Sequence, residues 1–333
     1  MRRVGIVLLV VTLFALSVCS PVVLGQRKVI RLAHIGAPGS LHDIATSIFA
    51  SLVKENTNEE VEVKVYAGGL FSSEREGGQN LVNGTVDAIF VSSAAFVGYD
   101  PQVGLLEIPF LFKNTEHTKK VILGRIGKEL LEGLAAKTGI KPLAWVDYAW
   151  ETGGRQLTSN KAVRTPDDLK GLRIRSPKVP VFELPLRALG AVPIALDFGE
   201  LYMALDRGVV DGQHNQILHI YTQKFYEVQK FLTVLNFART PHILAMSNKA
   251  WTSLSPSQQA AIAAAAEKTA LLAPEKAAEN DARMLAELRA KMTVVELTEA
   301  ELGKFREVVH REVFPKFREE YGKILDRILE AGN

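Results

Sequence analysis

The sequence predicts an α/β fold of two lobes, each a mainly parallel sheet flanked by helices. Strand-patterned and helix-patterned segments alternate through the first half of the chain, which is the signature of a parallel sheet with crossover helices. At 333 residues the chain has room for two domains of ordinary size. Near its middle, at Glu151 to Gly154, it leaves one run of such units for another. Glycines at that crossing suit a hinge, because they take up backbone rotation at little steric cost.

In order, Val29 to His34 reads as a strand left by the Gly36-Ala-Pro-Gly39 loop. Ser40 with Asp43 caps a helix running to about Asn56, and Val61 to Val65 alternates strictly as a second strand. After a Gly68-Gly69 turn, Ser73 with Glu76 opens a helix ending near Gly84, and Val86 to Val91 is the third strand. Thr115 caps a helix reaching about Lys137, and Leu143 to Tyr148 is the strand before the crossing. Ligands in such sheets sit beyond the carboxyl ends of strands, which points at His34, Ser92 and Ser93.

In the second lobe, Leu172-Arg-Ile-Arg-Ser176 alternates as a half-buried strand, with Arg173 and Arg175 on one face, and Pro177 ends it. Arginine in such a strand is as a rule exposed or salt-bridged. At a strand end, however, a guanidinium is a planar fork that can grip a carboxylate through two parallel hydrogen bonds. A helix from Phe198 should close at Gly208, followed by a Val209-Val210 strand and a turn carrying Gln213, His214 and Asn215. Phe231 to Leu235 reads as the strand returning to the first lobe. Ser255-Pro256 with Gln258 starts an alanine-rich helix that Pro274 should kink, and Glu299 to Val313 and Phe317 to Leu329 are amphipathic helices wrapping the outside. The lobes are expected over 26–152 with 241–280, and over 153–240 with 281–333.

Apolar residues make up 47% and charged residues 23%, the proportions of a globular protein, and a net charge of +3 indicates no nucleic-acid surface. Met1-Arg-Arg3 followed by the apolar run Val4 to Val18 and Pro21 to Gly25 has the regions of a secretory signal peptide over 1–25, cleaved near Gly25-Gln26. Val18 stands before Cys19 where lipid attachment calls for a small residue, so removal of Cys19 is expected over anchoring. The mature chain then has no thiol, and cysteine catalysis, zinc thiolates and disulfides are excluded. There is no Gly-x-Ser-x-Gly elbow, HExxH or glycine-rich phosphate loop, which argues against an enzyme. Spacing gives His214 and His219 no helical metal-ligand geometry, so no metal or cofactor is assigned.

Five segments carry a resemblance: Gly154-Arg-Gln-Leu-Thr158, Asp168 to Arg175, Phe198-Gly-Glu-Leu-Tyr202, Val210-Asp-Gly-Gln-His-Asn215 and Gln223 to Gln229. In order and spacing they resemble the extracytoplasmic solute-binding subunits of tripartite ATP-independent periplasmic (TRAP) transporters, the DctP-type family of C4-dicarboxylate and sialic acid binders. The resemblance covers nearly all of the mature chain. It implies a periplasmic-binding-protein-like fold with crossing strands and long C-terminal helices. It also implies a monomer outside the inner membrane that captures a small organic anion and delivers it to membrane subunits. By the same resemblance Arg175 pairs with the substrate carboxylate, Arg155 and Asn215 contact the ligand, and Phe198 packs against it. Ser92, Ser93 and Phe96 stand where some relatives present an acid to a hydroxylated substrate. Neutral Ser92 points away from sialic acid and leaves dicarboxylates, 2-oxo or hydroxy acids and aromatic acids open. His214-Asn215-Gln216 departs from a common Glu-Asn-Pro, and His214 is expected to be an exposed turn residue. Tyr148 and Trp150 precede the hinge and are placed as candidate cleft walls, as are His34 and His42. A binding module for a sensor would use the same cleft; a secreted hydrolase is the remoter alternative.

Overall fold

A computed structural model describes residues 27–333, except 69, 72, 149, 151, 152, 178 and 179. The signal segment, its cleavage point and Cys19 lie outside the described residues. The first sheet begins with β1 (Lys28–His34), α1 (Leu41–Asn56), β2 (Val61–Ala67), α2 (Glu74–Val82) and β3 (Ala88–Ser92). Ser40 and Ser73 cap α1 and α2 by accepting from the Asp43 and Glu76 amides. A 3-10 helix, Pro101–Glu107, leads to α3 (Thr115–Ile122), α4 (Arg125–Thr138) and β4 (Lys141–Val146). The single helix expected from Thr115 is thus two, and its cap is Asn114, whose side chain accepts from the His117 amide. Gly124 makes the break: its backbone is extended, and a Cβ there would lie 2.1 Å from the Lys120 carbonyl oxygen.

The second sheet holds β5 (Gln156–Ser159), β6 (Arg173–Ser176), α5 (Pro180–Ala188), β7 (Val192–Ala195), α6 (Leu201–Asp206), β8 (Gly212–Asn215), α7 (Ile217–Thr222) and β9 (Phe231–Val234). The chain returns through β10 (His242–Met246), α8 (Asn248–Thr252) and α9 (Pro256–Lys291), and finishes with β11 (Thr293–Glu296), α10 (Glu299–Glu312), α11 (Phe314–Tyr321) and α12 (Lys323–Ala331). Two expectations are corrected here. The strand expected at Val209-Val210 is β8, which begins two residues later because Gly212 to Asn215 bond to β5, with Val209 left exposed. Phe231 to Leu235 does not return to the first lobe: β9 pairs with β5 and β11, and β10 makes the return.

Strand order is β2-β1-β3-β10-β4 in the first sheet and β11-β9-β5-β8-β6-β7 in the second. Each is parallel but for one strand, β10 in the first and β5 in the second. These two are the first strands entered after each crossing, so both start at the edge where the parallel strands end. Residues alternate between two cores, as along β3, where Ile89 and Val91 join one cluster and Ala88 and Phe90 the other. Both clusters include residues of both sheets. α9 runs unbroken through Pro274 and packs on α1, β4 and α7, while α10 packs on α5 and α12 on α3.

Candidate functional site

The crossing segments are held to each other first. The Arg155 amide donates to the Ala238 carbonyl and the Phe237 amide to the Arg155 carbonyl, both at 2.8 Å. Gln156 accepts from the Leu235 and Asn236 amides, which fixes the start of β5 against the end of β9. Gly154 serves this approach, since a Cβ would lie 2.8 Å from the Asn236 Cα. Its missing side chain therefore serves close contact between the two segments.

Between the sheets, at the carboxyl ends of β1, β3, β6, β7 and β8 and the starts of β5 and β10, lies a cavity of about 320 Å³. That volume suits a small metabolite. On the second-lobe wall stand Arg155, Arg175, Phe198 and Asn215, and both guanidiniums are buried, at 4% and 2% exposure. Arg155 commits four N–H groups: Nε to His214 Nδ1 (2.8 Å), Nη1 to Thr240 Oγ1 (3.0 Å), and Nη2 to the His214 carbonyl and Asn215 Oδ1 (both 2.8 Å). One of its five donors is left without a partner among the described residues. Arg175 commits Nε and Nη2 to the Leu196 carbonyl, at 3.0 and 2.8 Å, and keeps three N–H groups without a partner among the described residues. Its guanidinium lies over the Phe198 ring, 5.9 Å from the centroid. Burial, and for Arg175 the neighbouring Arg155, lowers these two to about 10 and about 9, so both remain cationic at neutral pH. Arg173, on the same face of β6 but at its other end, is exposed and paired with Asp211.

The first-lobe wall is acidic and imidazole-rich. Glu74, in the first turn of α2, accepts from the Ser92 amide (2.9 Å) and from the Ser92 hydroxyl. Burial acts to raise its pKa, but the imidazoles of His42 and His242 and the Ser92 hydroxyl outweigh it and hold the group ionised. Glu107, 1% exposed, accepts from the Ser93 hydroxyl, and burial pushes its pKa up to about 7. Burial and then the charge of His42 lower His242 to about 3, while burial and then Arg155 hold His214 well below the usual imidazole range. His42 lies in edge contact with His242, ring centroids 4.7 Å apart, and tilted against His219 at 5.5 Å.

Six of the residues singled out from the sequence line this cavity: Arg175, Arg155, Asn215, Phe198, Ser92 and His42. Five do not. Ser93 is turned away to Glu107, and Phe96 closes the 3-10 turn that follows β3 and is wholly within the core. His34, 1% exposed, accepts from the Gly36 amide and stacks behind His42. Trp150 lies under Lys119 and accepts through its carbonyl from Thr115 and Arg239. Tyr148 is fully buried and is likewise no cavity wall. His214 is no exposed turn residue: it is 1% exposed in β8, its ring edge-on to Phe182 and Phe237. Glu74, Glu107, Thr240 and His242 were missed. Only Glu74 carried a local signal, an acid just after a cap serine and free of the capping role that Glu76 shares. Neutral Ser92 implied a neutral wall, whereas Glu74 supplies the carboxylate that Ser92 orients.

Comparison with known proteins gives this fold and cavity their family. Residues 32–320 match the model for bacterial extracellular solute-binding protein, family 7 (DctP). The chain belongs to that family. It is 32% identical over 243 residues to the 2,3-diketo-L-gulonate-binding periplasmic protein YiaO of Escherichia coli, covering 73% of each chain. It is 34% identical to the C4-dicarboxylate-binding periplasmic protein DctP of Rhodobacter capsulatus over 254 residues, 76% of this chain and 74% of that one. Its fold is similar to that of a TRAP periplasmic solute-binding protein of Sulfurospirillum deleyianum with bound succinate. The TM-score is 0.84 at 28% identity, over 92% of this chain and 100% of the other.

Proposed function

We propose that this protein captures a small hydroxylated or oxo carboxylic acid in the interlobe cavity and delivers it to the membrane subunits of a TRAP transporter. One observation carries the reading: two buried guanidiniums on one wall keep N–H donors uncommitted among the described residues, three on Arg175 and one on Arg155. A buried cation needs an anion to offset the solvation it has lost. A ligand carboxylate meeting those donors supplies it, with Phe198 covering its apolar side and Asn215 keeping Arg155 in place. Ionised Glu74 opposite accepts from a hydroxyl and disfavours a second carboxylate pointed at it. The relatives named for 2,3-diketo-L-gulonate and C4-dicarboxylates fit this acid class, the first better than the second.

In this reading the lobes, 26–152 with 241–280 and 153–240 with 281–333, close on the acid outside the inner membrane, with α10–α12 clasping both. Closure expels water and strengthens the charge pairs. Calorimetry on the mature chain with a panel of aldonates, 2-oxo acids and dicarboxylates tests it. Binding of at least one acid, abolished by charge removal at Arg175, is the expected result. Affinity for neutral sugars and for no acid would sink it.

A further inference from the structure

His42, Glu74 and His242 come from three separate elements, yet their ligating atoms all lie within 4.8 Å of one another on the cavity wall. His42 is 2% exposed, and neither of its ring nitrogens has a hydrogen-bond partner among the described residues. Its Nε2 lies 3.7 Å from Glu74 Oε1, too far for a hydrogen bond. A buried imidazole left this way costs free energy unless something else completes it. His242 has the complementary arrangement. Its Nδ1 is 2.9 Å from the Thr240 carbonyl, which can only accept, so Nδ1 carries the proton and Nε2 presents a lone pair. A backbone carbonyl that fixes the tautomer and orientation of an imidazole in this way is the usual support behind a metal-bound histidine. Glu74 is oriented in turn by the Ser92 amide and hydroxyl.

We propose that His42, Glu74 and His242 bind a zinc-class divalent cation whose open coordination position faces the cavity. Two imidazoles and one carboxylate suit such an ion, and three protein ligands leave a fourth position for another oxygen. Bonds of about 2.1 Å at tetrahedral angles place ligand atoms roughly 3.4 Å apart, so side-chain rotation of about an ångström closes the triad. The inference rests on the proposed carboxylate capture for what fills the open position. With the acid's carboxylate on Arg175 and Arg155, its hydroxyl or oxo oxygen reaches across to the ion, tying one lobe to the other through the ligand.

The test begins with chelator-treated mature protein titrated with zinc chloride, and with the cobalt(II) spectrum of the unsubstituted protein, which reports nitrogen and oxygen ligation without any variant. One ion per chain is expected. His242→Ala and Glu74→Gln should each weaken uptake at least about tenfold, with thermal unfolding confirming that both fold. No uptake by the unsubstituted protein, or uptake unchanged in both variants, overturns the site. The acid panel is then run with chelator and with zinc, and the affinity of a 2-hydroxy acid should rise at least about tenfold with zinc while its deoxy analogue gains less. Equal affinities in the two conditions overturn the contact between ion and ligand. Acids bound without any zinc uptake sink the metal site and leave the carboxylate reading standing; zinc bound without any response to acids does the reverse.

Discussion

Arg175 and Glu107 are opposite cases of one cost, a charge taken out of water. For Arg175 the cost is carried in the unliganded protein and recovered when an anion arrives. Arg175→Ala should therefore weaken acid binding by on the order of 3 to 5 kcal/mol, since the carboxylate is left buried and unpaired, and calorimetry reads the loss directly. Asn215 already accepts from Arg155 and donates to Gln213, so its loss acts largely by freeing Arg155. For Glu107 the group faces Ser93, Arg155 and, at longer range, Glu74, and burial dominates. Its folded pKa of about 7 lies above the ordinary 4.5, so the folded state binds the proton more tightly. Stability contributed by this carboxyl is accordingly full below pH 4.5 and declines as pH rises to about 7. Glu107→Gln, which never ionises and can still accept from Ser93, should match the parent near pH 4.5 and exceed it above about pH 7 by on the order of 3 kcal/mol. Denaturant unfolding at the two pH values reads the difference; equal stability of the two proteins at both would show that Glu107 is not destabilised by burial.

At the scale of elements, the cavity owes its walls to β5 and β10. A parallel strand offers its last residues to the cleft, and an antiparallel strand among them offers its first. That is why Arg155, just before β5, and Thr240 and His242, at the start of β10, join Arg175 from the end of β6. The crossing is equally a matter of backbone proximity. Gly154→Ala would place a methyl group 2.7 Å from Asn236 Oδ1 and 2.8 Å from its Cα, and the second of these is backbone. The substitution should lower stability by about 1 to 3 kcal/mol, visible as a lower Tm, and weaken acid binding by shifting Arg155. A protein of unchanged Tm would mean that the two segments separate easily. Glycine in a motif is legible in sequence; the backbone that it lets approach, Asn236, was not.

For the whole molecule, the two sheets share both hydrophobic clusters, and α9 and α12 tie the last quarter of the chain to the first lobe. An acid that binds only the folded, closed form should raise Tm with concentration, by about 2.7 kcal/mol of added stability at a hundredfold excess over Kd. A thermal-shift series with aldonates and 2-oxo acids checks this, and a Tm indifferent to every acid tried would count against capture in the cleft. Among the described residues no helix is long and apolar enough to cross a membrane.

By itself the sequence determined the alternation of strand and helix, most caps, the two-lobed plan and the guanidinium at the end of β6. Each of these is written in neighbouring residues, as period, cap chemistry or a local motif. Tertiary structure alone decided what faces that guanidinium. Glu74, Glu107 and His242 are far apart along the chain and gain meaning only where strand ends and strand starts converge on one edge. Burial, which sets the charge of Glu107 and His242 and leaves the His42 ring nitrogens without a hydrogen bond among the described residues, depends on what packs from elsewhere in the chain, and no local pattern encodes that.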